Sequence, residues 1–540
     1  MKDISSTGSF INFYLNNYIY VDKTKYIRDL IKLERVFISR PRRFGKSLTL
    51  DTIATLFETG VEPYFKGTWI YDKWTEPTYP VLRLNFLDLD KYSLEHFKQK
   101  LNAIISSFAR DINVKNYEEK VEPEDTIYFL LDELRKEKRQ IVILIDEYDC
   151  QMTANINNET LYKQFQEKIK SFYATIKNKW PIKFLGITGV TRLKDVEIFS
   201  IGSDINDITN DSVYSQMIGF TRDEIKRYYI DYLKLAASYE NKCRVEEVID
   251  IQIESMLDMM AQNYDGYCFD EFYKKKVFST WSVNKFFQSV VSNKFVYFGE
   301  YWYDNGGLPS ILVNYLKTHE LNIFEYLDKD KFLKVSSDDF KNPTALTTIN
   351  QNVLMCQTGY LTLRSDLNKT STVALGIPNG EIYKALNRLL ANNIFKGNTD
   401  ITDDYGRSLL EVGTVDDIIN LFNSALNSVS YDNYPIVSES SVQNMLKLYL
   451  LGAHQKVLSE VHEAKGRADL VVNTDNRRIV FEFKYAKNET EAKSKLLDAV
   501  EQIKTRDYGN IVPNKTELLR IAAVFNADPK VRAFTEYQEV

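Results

Sequence analysis

Cysteine is scarce in this 540-residue chain: Cys150, Cys243, Cys268 and Cys356 are its four, and no two form a C-x-x-C pair. That spacing disfavours both a disulfide framework and a structural zinc site, and it suits a reducing cytoplasm. Histidine is equally rare, and its four residues do not cluster at ligand spacing. A large excess of one charge is missing too. Lys+Arg number 69 against 75 Asp+Glu, a net charge of −6, which argues against a chain that coats nucleic acid with its whole surface but leaves a local basic groove open. There is no apolar run of about 18 residues and no basic-then-apolar N-terminus, so neither a membrane span nor a signal peptide is expected. Internal repeats and low-complexity linkers are absent. What is present is ordinary for a soluble globular protein: 44% hydrophobic and 27% charged residues. The length exceeds what one hydrophobic core supports, so roughly two to four domains are expected. The 35 tyrosines and 31 phenylalanines read as core material, with a base-stacking platform as the alternative.

Residues 35–50, RVFISRPRRFGKSLTL, read as a strand, a phosphate loop and a helix. Val36-Phe37-Ile38 is short, apolar and β-favouring. From Leu48 the text LTLDTIATLFETG carries apolar residues at helical spacing and ends on Gly60. Backbone N–H groups from Arg42, Arg43, Phe44, Gly45, Lys46, Ser47 and Leu48 would cradle phosphates at the helix N-terminus. Lys46 would reach the β- and γ-phosphates of ATP, and the Ser47 hydroxyl would ligate Mg²⁺. Arg40 stands where the G-x-x-x-x-G-K-[ST] pattern has its first glycine, and Arg40, Arg42 and Arg43 would add positive charge beside the phosphates.

A second half of the same site reads from IVILIDEYD, residues 141–149. Five apolar residues make a buried parallel strand, with Asp146 and Glu147 at its carboxyl end, where ligands bind. Asp146 would hold the Mg²⁺ shell and Glu147 would polarise the attacking water. The strand IKFLGITGVTR, residues 182–192, places Thr188 at its polar end, either as a sensor near the γ-phosphate or as a capping threonine. Arg192 follows as a phosphate sensor, a residue serving a neighbouring subunit, or a surface arginine. YPVLRLNF at 79–86 supplies a further strand, and strands alternating with helices indicate a parallel α/β sheet.

Together IYVDKT (19–24), RPRRFGKS (40–47), YPVLRLNF, LIDEYD (144–149) and GITGVTR resemble the AAA-ATPase-like family of prokaryotic proteins. The resemblance implies ATP binding, and it makes Arg40 a family trait, since an arginine commonly replaces the first loop glycine there. NYDGYCF (263–269), CQTGYLTL (356–363) and LGIPNGE (375–381) extend it. The Asp22-Lys23 pair of IYVDKT is expected near the nucleotide. Residues 210–300 read mostly helical, with a capping box of Thr221 and Glu224 in FTRDEIKRYYIDYL. Residues 300–430 read as mixed and carry no visible chemistry.

The second informative stretch is GRADLVVNTDNRRIVFEFKYA, residues 466–486. With Asp475-Asn476 as a two-residue hairpin loop, Asp469 falls opposite Glu482. Glu482 and Lys484 share one strand face, and Phe481 and Phe483 point to the other. Two carboxylates and an ammonium converge. Hard oxygens suit Mg²⁺ or Mn²⁺, which activates water against a phosphodiester, while Lys484 orients water and neutralises developing charge. This D-x(n)-E-x-K order, between a helix bearing Glu439 and a later helix and strand, resembles the PD-(D/E)XK nuclease superfamily and its α-β-β-β-α-β core. The resemblance implies metal binding by Asp469 and Glu482, a nucleic-acid-facing role for Gln502 and Tyr508, and an additional acid at Glu439, with Glu460 as its rival. Arg467 would contact a phosphate.

The expectation is an α/β architecture: an AAA-like P-loop core over 1–210, a helical lid or winged-helix region over 211–300, a mixed connector over 301–430 and a small PD-(D/E)XK nuclease-like domain over 431–540. Its function would be an ATP-dependent nuclease acting on DNA or RNA. The alternative is an ATP-controlled switch whose C-terminal domain binds nucleic acid or protein without cutting. Self-association belongs to the expectation if an arginine acts in trans.

Overall fold

The computed structural model covers the 540-residue chain and describes residues 1–177, 179–193, 204–304, 310–316, 323–343, 345–395, 405–453, 455–463, 466–509 and 517–540. The described residues separate into two compact units.

The first unit opens with helices α1 (Phe10–Leu15) and α2 (Thr24–Leu30), strand β1 (Arg35–Ser39) and helix α3 (Lys46–Thr59). Then come β2 (Val81–Asn85), α4 (Leu94–Asp111), α5 (Pro123–Lys136), β3 (Ile141–Asp146), α6 (Glu159–Ile176), β4 (Ile182–Gly189) and β5 (Asn206–Asp207). The strands form one parallel sheet in the order β2-β3-β4-β1-β5. β1 is buried throughout, as is β3 up to Asp146, as continuous apolar strands must be when both sheet faces are covered. The cover comes from amphipathic helices: Phe97, Leu101 and Ile105 of α4, Ile127, Leu130 and Leu134 of α5, and Phe165, Ile169 and Phe172 of α6 are buried at helical spacing. Because β4 lies between β1 and β3, the carboxyl ends of these three strands bring the 40–47 loop, Thr188 and Asp146 to one edge.

Four helices follow: α7 (Arg222–Tyr228), α8 (Ile230–Asn241), α9 (Asp250–Tyr264) and α10 (Thr280–Asn293). The expected capping box is present, Thr221 accepting from the Glu224 N–H while the Glu224 carboxylate takes the Thr221 N–H. The helix does not run on to residue 233 as its periodicity suggests. It breaks at Tyr229 (φ −112°, ψ 22°), whose ring is buried and stacks on Phe287 at 5.3 Å. A small antiparallel sheet, β6 (Leu333–Ser336), β7 (Thr362–Leu363) and β8 (Thr372–Gly376), leads to α11 (Gly380–Ile394).

The second unit contains α12 (Val415–Asn427), α13 (Glu439–Gly452), β9 (Lys456–Glu463), β10 (Gly466–Asn473), β11 (Arg477–Ala486), α14 (Glu489–Arg506), β12 (Glu517–Asn526) and β13 (Ala533–Glu539). Its mixed sheet has the order β13-β12-β11-β10-β9, with β11 and β12 parallel and the other pairs antiparallel. The β10–β11 hairpin turns over Asp475-Asn476 between Thr474 and Arg477, which exchange hydrogen bonds, and the register Leu470↔Phe481 follows. β13, paired to β12, was not expected.

By their contacts the described residues fall into two compact units. Residues 1–321 and 332–382 form the first, and 322–331 with 383–540 form the second. The expected connector over 301–430 is not a body of its own: α12 packs on β13 of the second unit, and the β6–β8 sheet falls within the first. The first unit is tied by its own motifs. Gly266 of YDGY has φ +94°, and a Cβ there would collide with the Pro378 carbonyl of IPNG, while Asn379 Nδ2 donates to the Asp265 carbonyl at 2.7 Å. Gly266→Ala is therefore expected to destabilise the protein by about 2–4 kcal/mol, the left-handed strain adding to overpacking. A urea midpoint unchanged from wild type would contradict this.

Candidate functional site

Gly45 takes the left-handed conformation (φ 103°) that starts α3, and the space a Cβ would fill there is open. The loop thus leaves room for an anion at the helix N-terminus. Lys46 is buried; its Nζ donates to the carbonyls of Arg40 and Pro41 at 3.1 and 3.3 Å and lies 3.5 Å from Glu147 Oε1. Ser47 Oγ donates to Asp146 Oδ2 at 2.5 Å, and the Thr188 hydroxyl donates to the other oxygen of the same carboxylate. Ser47 at the start of α3, Asp146 at the end of β3 and Thr188 near the end of β4 therefore meet. Glu147 is held with φ 52°, a left-handed strain uncommon outside glycine. A cavity of about 370 Å³ opens over this loop, lined by Arg42 through Thr49 and by Glu147. Its chemistry fits a nucleotide with Mg²⁺: open glycine space for phosphate, one lysine, and a hydroxyl–carboxylate pair for a hard cation.

In the second unit, Glu482 is fully buried and its Oε1 accepts from Lys484 Nζ at 2.8 Å. Its Oε2 is buried with no hydrogen-bond partner among the described residues. The β10–β11 ladder stops at Leu470↔Phe481, one step short of Asp469 and Glu482. Asp469 Oδ2 instead accepts the Phe483 N–H at 2.9 Å, and Gln443 of α13 also hydrogen-bonds its carboxylate. Glu439, at the start of α13, lies 3.4 Å from Lys484 Nζ. Phe481 and Phe483 are buried on the opposite face, stacked at 5.5 Å. Burial pushes Asp469 up to about 6, against the pull of the Phe483 N–H and Lys484. Burial, aided by the charge of Asp469, pushes Glu482 up to about 7. Burial would lower Lys484, but Glu482, Glu439 and Asp469 together hold it above its ordinary value. An orphaned buried carboxylate oxygen beside a second acid is the donor set a divalent metal satisfies. Among the described residues no three such ligands converge, so an ion here would keep several waters, as Mg²⁺ does.

The sequence family described as "Predicted AAA-ATPase" matches residues 5–199, and the PD-(D/E)XK nuclease superfamily matches residues 437–535. The chain joins an AAA-ATPase-like domain to a PD-(D/E)XK nuclease superfamily domain. An uncharacterized protein in the vnfD 5′ region of Azotobacter chroococcum mcd 1 is 25% identical over 532 residues, covering 95% of this chain and 94% of that protein. The crystal structure of Cdc6p from Pyrobaculum aerophilum covers 69% of this chain and 96% of its own at 12% identity, with a TM-score of 0.23. That likeness is too loose to bear on the fold, which rests on strand order and register.

Within the ATPase domain, three arginines do not point where the sequence suggested. Arg40 is not beside the phosphates. It is 1% exposed, donates to the carbonyls of Ser39 and Thr209 at 2.8 and 2.5 Å, and lies 4.1 Å over the Phe269 ring. Burial pulls it down to about 9. Arg43 contributes its backbone to the cavity, but its guanidinium turns to the carbonyls of Tyr301 and Trp302 at 3.0 and 3.1 Å and stacks on Trp281. Arg192 is engaged by Asp207 of β5 and the Lys341 carbonyl, which sets it behind the loop beside Arg40. Arg42 and Leu48 line the cavity, and the Phe44 ring is buried against Tyr267 at 4.7 Å. Lys23 also lines the cavity, bonded to Glu224 at 2.6 Å, whereas the Asp22 carboxylate accepts from the Thr24 N–H and hydroxyl.

In the nuclease-superfamily domain, Arg467 is exposed two residues before Asp469. Gln502 donates to the Tyr508 hydroxyl at 3.3 Å. Tyr508 is fully buried, so its ring is core material and not a stacking surface for a base. The side chain of Glu460 lies outside the described residues.

Sequence reasoning missed several contributors. Ser5 through Gly8 line the cavity over the 40–47 loop, with Asn284 Nδ2 donating to the Ser5 carbonyl at 3.2 Å. Asp149 is buried and accepts from the Thr191 N–H at 2.7 Å, locking the end of β3 to the end of β4; its place in LIDEYD was the available signal. Glu381 of the IPNGE stretch is buried, accepting from Ser282 Oγ at 2.7 Å and from the Trp302 N–H at 2.8 Å. Burial pushes it up to about 8 from 4.5. The folded state thus binds its proton more tightly than the unfolded chain. The stability this adds is complete below pH 4.5 and is lost as pH rises to about 8. Relative to wild type, Glu381→Gln is expected to gain stability across that window, by up to about 3–5 kcal/mol. Urea midpoints of the two proteins that keep a constant separation over pH would refute it.

Proposed function

We propose that the ATPase domain binds and hydrolyses ATP with Mg²⁺, and that its nucleotide state controls a metal-dependent nuclease in the C-terminal domain, acting on DNA or RNA phosphodiesters. The observation that carries the reading is the buried, partnerless Glu482 Oε2 beside Asp469 and Lys484. A structural hairpin gains nothing from two facing acids, and an unsatisfied buried oxygen costs stability unless a ligand completes it.

Asp469 and Glu482 would hold the metal, with Glu439 at the margin. When bound, the metal supplies charge neutralisation and a more acidic water. Lys484, whose ammonium stays charged between the acids, would orient the attacking water and offset charge growing on the phosphate. In the ATPase domain, Ser47 and Asp146 would hold Mg²⁺, Thr188 would fix the Asp146 carboxylate, Lys46 would leave the Arg40 and Pro41 carbonyls for the phosphates, and Glu147 would take a proton from water. The four cysteines are free thiols, which suits the cytoplasm. Among the described residues no helix is long and apolar enough to cross a membrane.

The test is cleavage of plasmid DNA, single-stranded DNA and RNA in Mg²⁺ or Mn²⁺, with and without ATP, by wild type, Glu482→Ala and Lys46→Ala. Cutting lost with Glu482→Ala and altered in its ATP response by Lys46→Ala supports the reading. ATP turnover without cutting under any condition moves it to a switch whose C-terminal domain binds without cutting.

A further inference from the structure

Arg506 ends α14, and the turn after it is fastened firmly. Asp507 adopts a left-handed conformation (φ 50°) that stops the helix. Arg520 of β12 braces the turn, its Nε donating to the Tyr508 carbonyl at 2.6 Å and its Nη2 to Asp507 Oδ1 at 2.8 Å. Tyr508 then packs into a core cluster with Ala468, Val480 and Ala522. Those residues frame the acidic site: Ala468 precedes Asp469, Val480 lies two before Glu482, and Ala522 pairs with Glu482 across the β11–β12 ladder. The Tyr508 hydroxyl accepts from Gln502 Nε2 at 3.3 Å and from Arg506 Nη1 at 2.9 Å. Tyr508 is an anchor, and what it anchors is the guanidinium of Arg506.

Arg506 is exposed. Its bond to Tyr508 and then the charges of Glu482 and Asp469 hold it above the ordinary arginine range, so the acids are within electrostatic reach. The site holds Glu439, Asp469 and Glu482 against Lys484, a balance that repels an anionic backbone unless a cation stands beside it. Arginine's rigid fork of donors matches phosphate oxygens. One guanidinium N–H is committed to Tyr508, which tethers the head group of an otherwise exposed side chain.

We propose that Arg506 is the phosphate-contacting residue of a nucleic-acid site at this acidic cluster, and that Tyr508 and Gln502 are positioning residues that act through it. The inference rests on the nuclease reading above. The probes are fluorescein-labelled single-stranded DNA, duplex DNA and single-stranded RNA, with affinity measured against salt in Ca²⁺ and cleavage measured in Mg²⁺, using the full chain. Arg506→Gln is expected to weaken binding about tenfold and to lower the slope of log Kd against log salt by about one. Arg506→Lys should restore the slope with part of the affinity lost. Tyr508→Phe should weaken binding less while keeping the slope, since the charge remains but is no longer held. Arg506→Gln with unchanged affinity and slope, while Glu482→Ala still abolishes cleavage, overturns the proposal and leaves the nuclease reading intact. Absence of binding and cleavage in every protein, wild type included, overturns both. Because Arg506 is a surface residue, its variants should match wild type in urea midpoint, and ATP binding by the other domain checks integrity.

Discussion

Glu482→Ala is expected to cut nucleic acid about 10³-fold more slowly than wild type, with ATP binding unchanged. The size follows from what the residue supplies. A metal held at a phosphodiester contributes several kcal/mol to transition-state stabilisation, and each 1.36 kcal/mol is about tenfold in rate. Among the described residues of this site, Glu482 offers the one carboxylate oxygen that is buried and lacks a partner, so none of them replaces it. The fold should tolerate the change. Lys484 keeps Glu439 at 3.4 Å, so its ammonium is not left as an uncompensated buried charge, which is the costly outcome of breaking a buried pair. Calorimetric titration with Mn²⁺ in the absence of nucleotide separates this account from a folding defect: one binding event present in wild type should vanish in Glu482→Ala and persist in Lys46→Ala. Cleavage at the wild-type rate by Glu482→Ala would mean that the cutting resides elsewhere.

The parts of these sites that could be read from the chain are those whose chemistry is local. A phosphate loop needs a glycine with left-handed freedom next to a lysine and a hydroxyl, and Gly45, Lys46 and Ser47 are consecutive. The meeting of Asp469 with Glu482 is non-local in sequence, yet it was calculable, because a two-residue turn at Asp475-Asn476 sets a register that strand geometry carries outward. Side-chain direction was not legible in the same way. Arg40 and Arg43 sit within the loop motif, but where they point is decided by Thr209, Phe269, Tyr301 and Trp302, residues between 169 and 259 positions away. Arg192 is likewise claimed by Asp207 on a strand too short to show any periodicity. Tyr508 is spaced like a recognition residue, and only the packing of α14 on the sheet reveals that its ring faces inward. The division into units escaped for the same reason: composition does not change where the chain passes from Ile382 to Tyr383 in the first turn of α11.

Asp146→Asn is expected to lower ATP hydrolysis about 10³-fold while nucleotide affinity falls far less. Asp146 is the hub of its site. Ser47 Oγ and the Thr188 hydroxyl both donate to it, and the Glu147 N–H donates to its Oδ1 at 3.0 Å. Asparagine preserves the shape and one acceptor, so the loop and β4 keep their places. It removes the negative charge, and with it the carboxylate that would hold a hard cation against the γ-phosphate. It also presents an amide N–H₂ where Ser47 Oγ was donating, so that hydroxyl must turn from donor to acceptor, while Thr188 and the Glu147 N–H keep their bonds to Oδ1. Lys46→Ala should behave differently. It deletes the cation that would meet the phosphates, so affinity for ATP should fall together with turnover. Measuring nucleotide Kd and turnover for both variants distinguishes the roles. Equal losses of affinity in the two would show that Asp146 supports the loop's structure, and an Asp146→Asn protein that turns over ATP at the wild-type rate would remove it from the metal site.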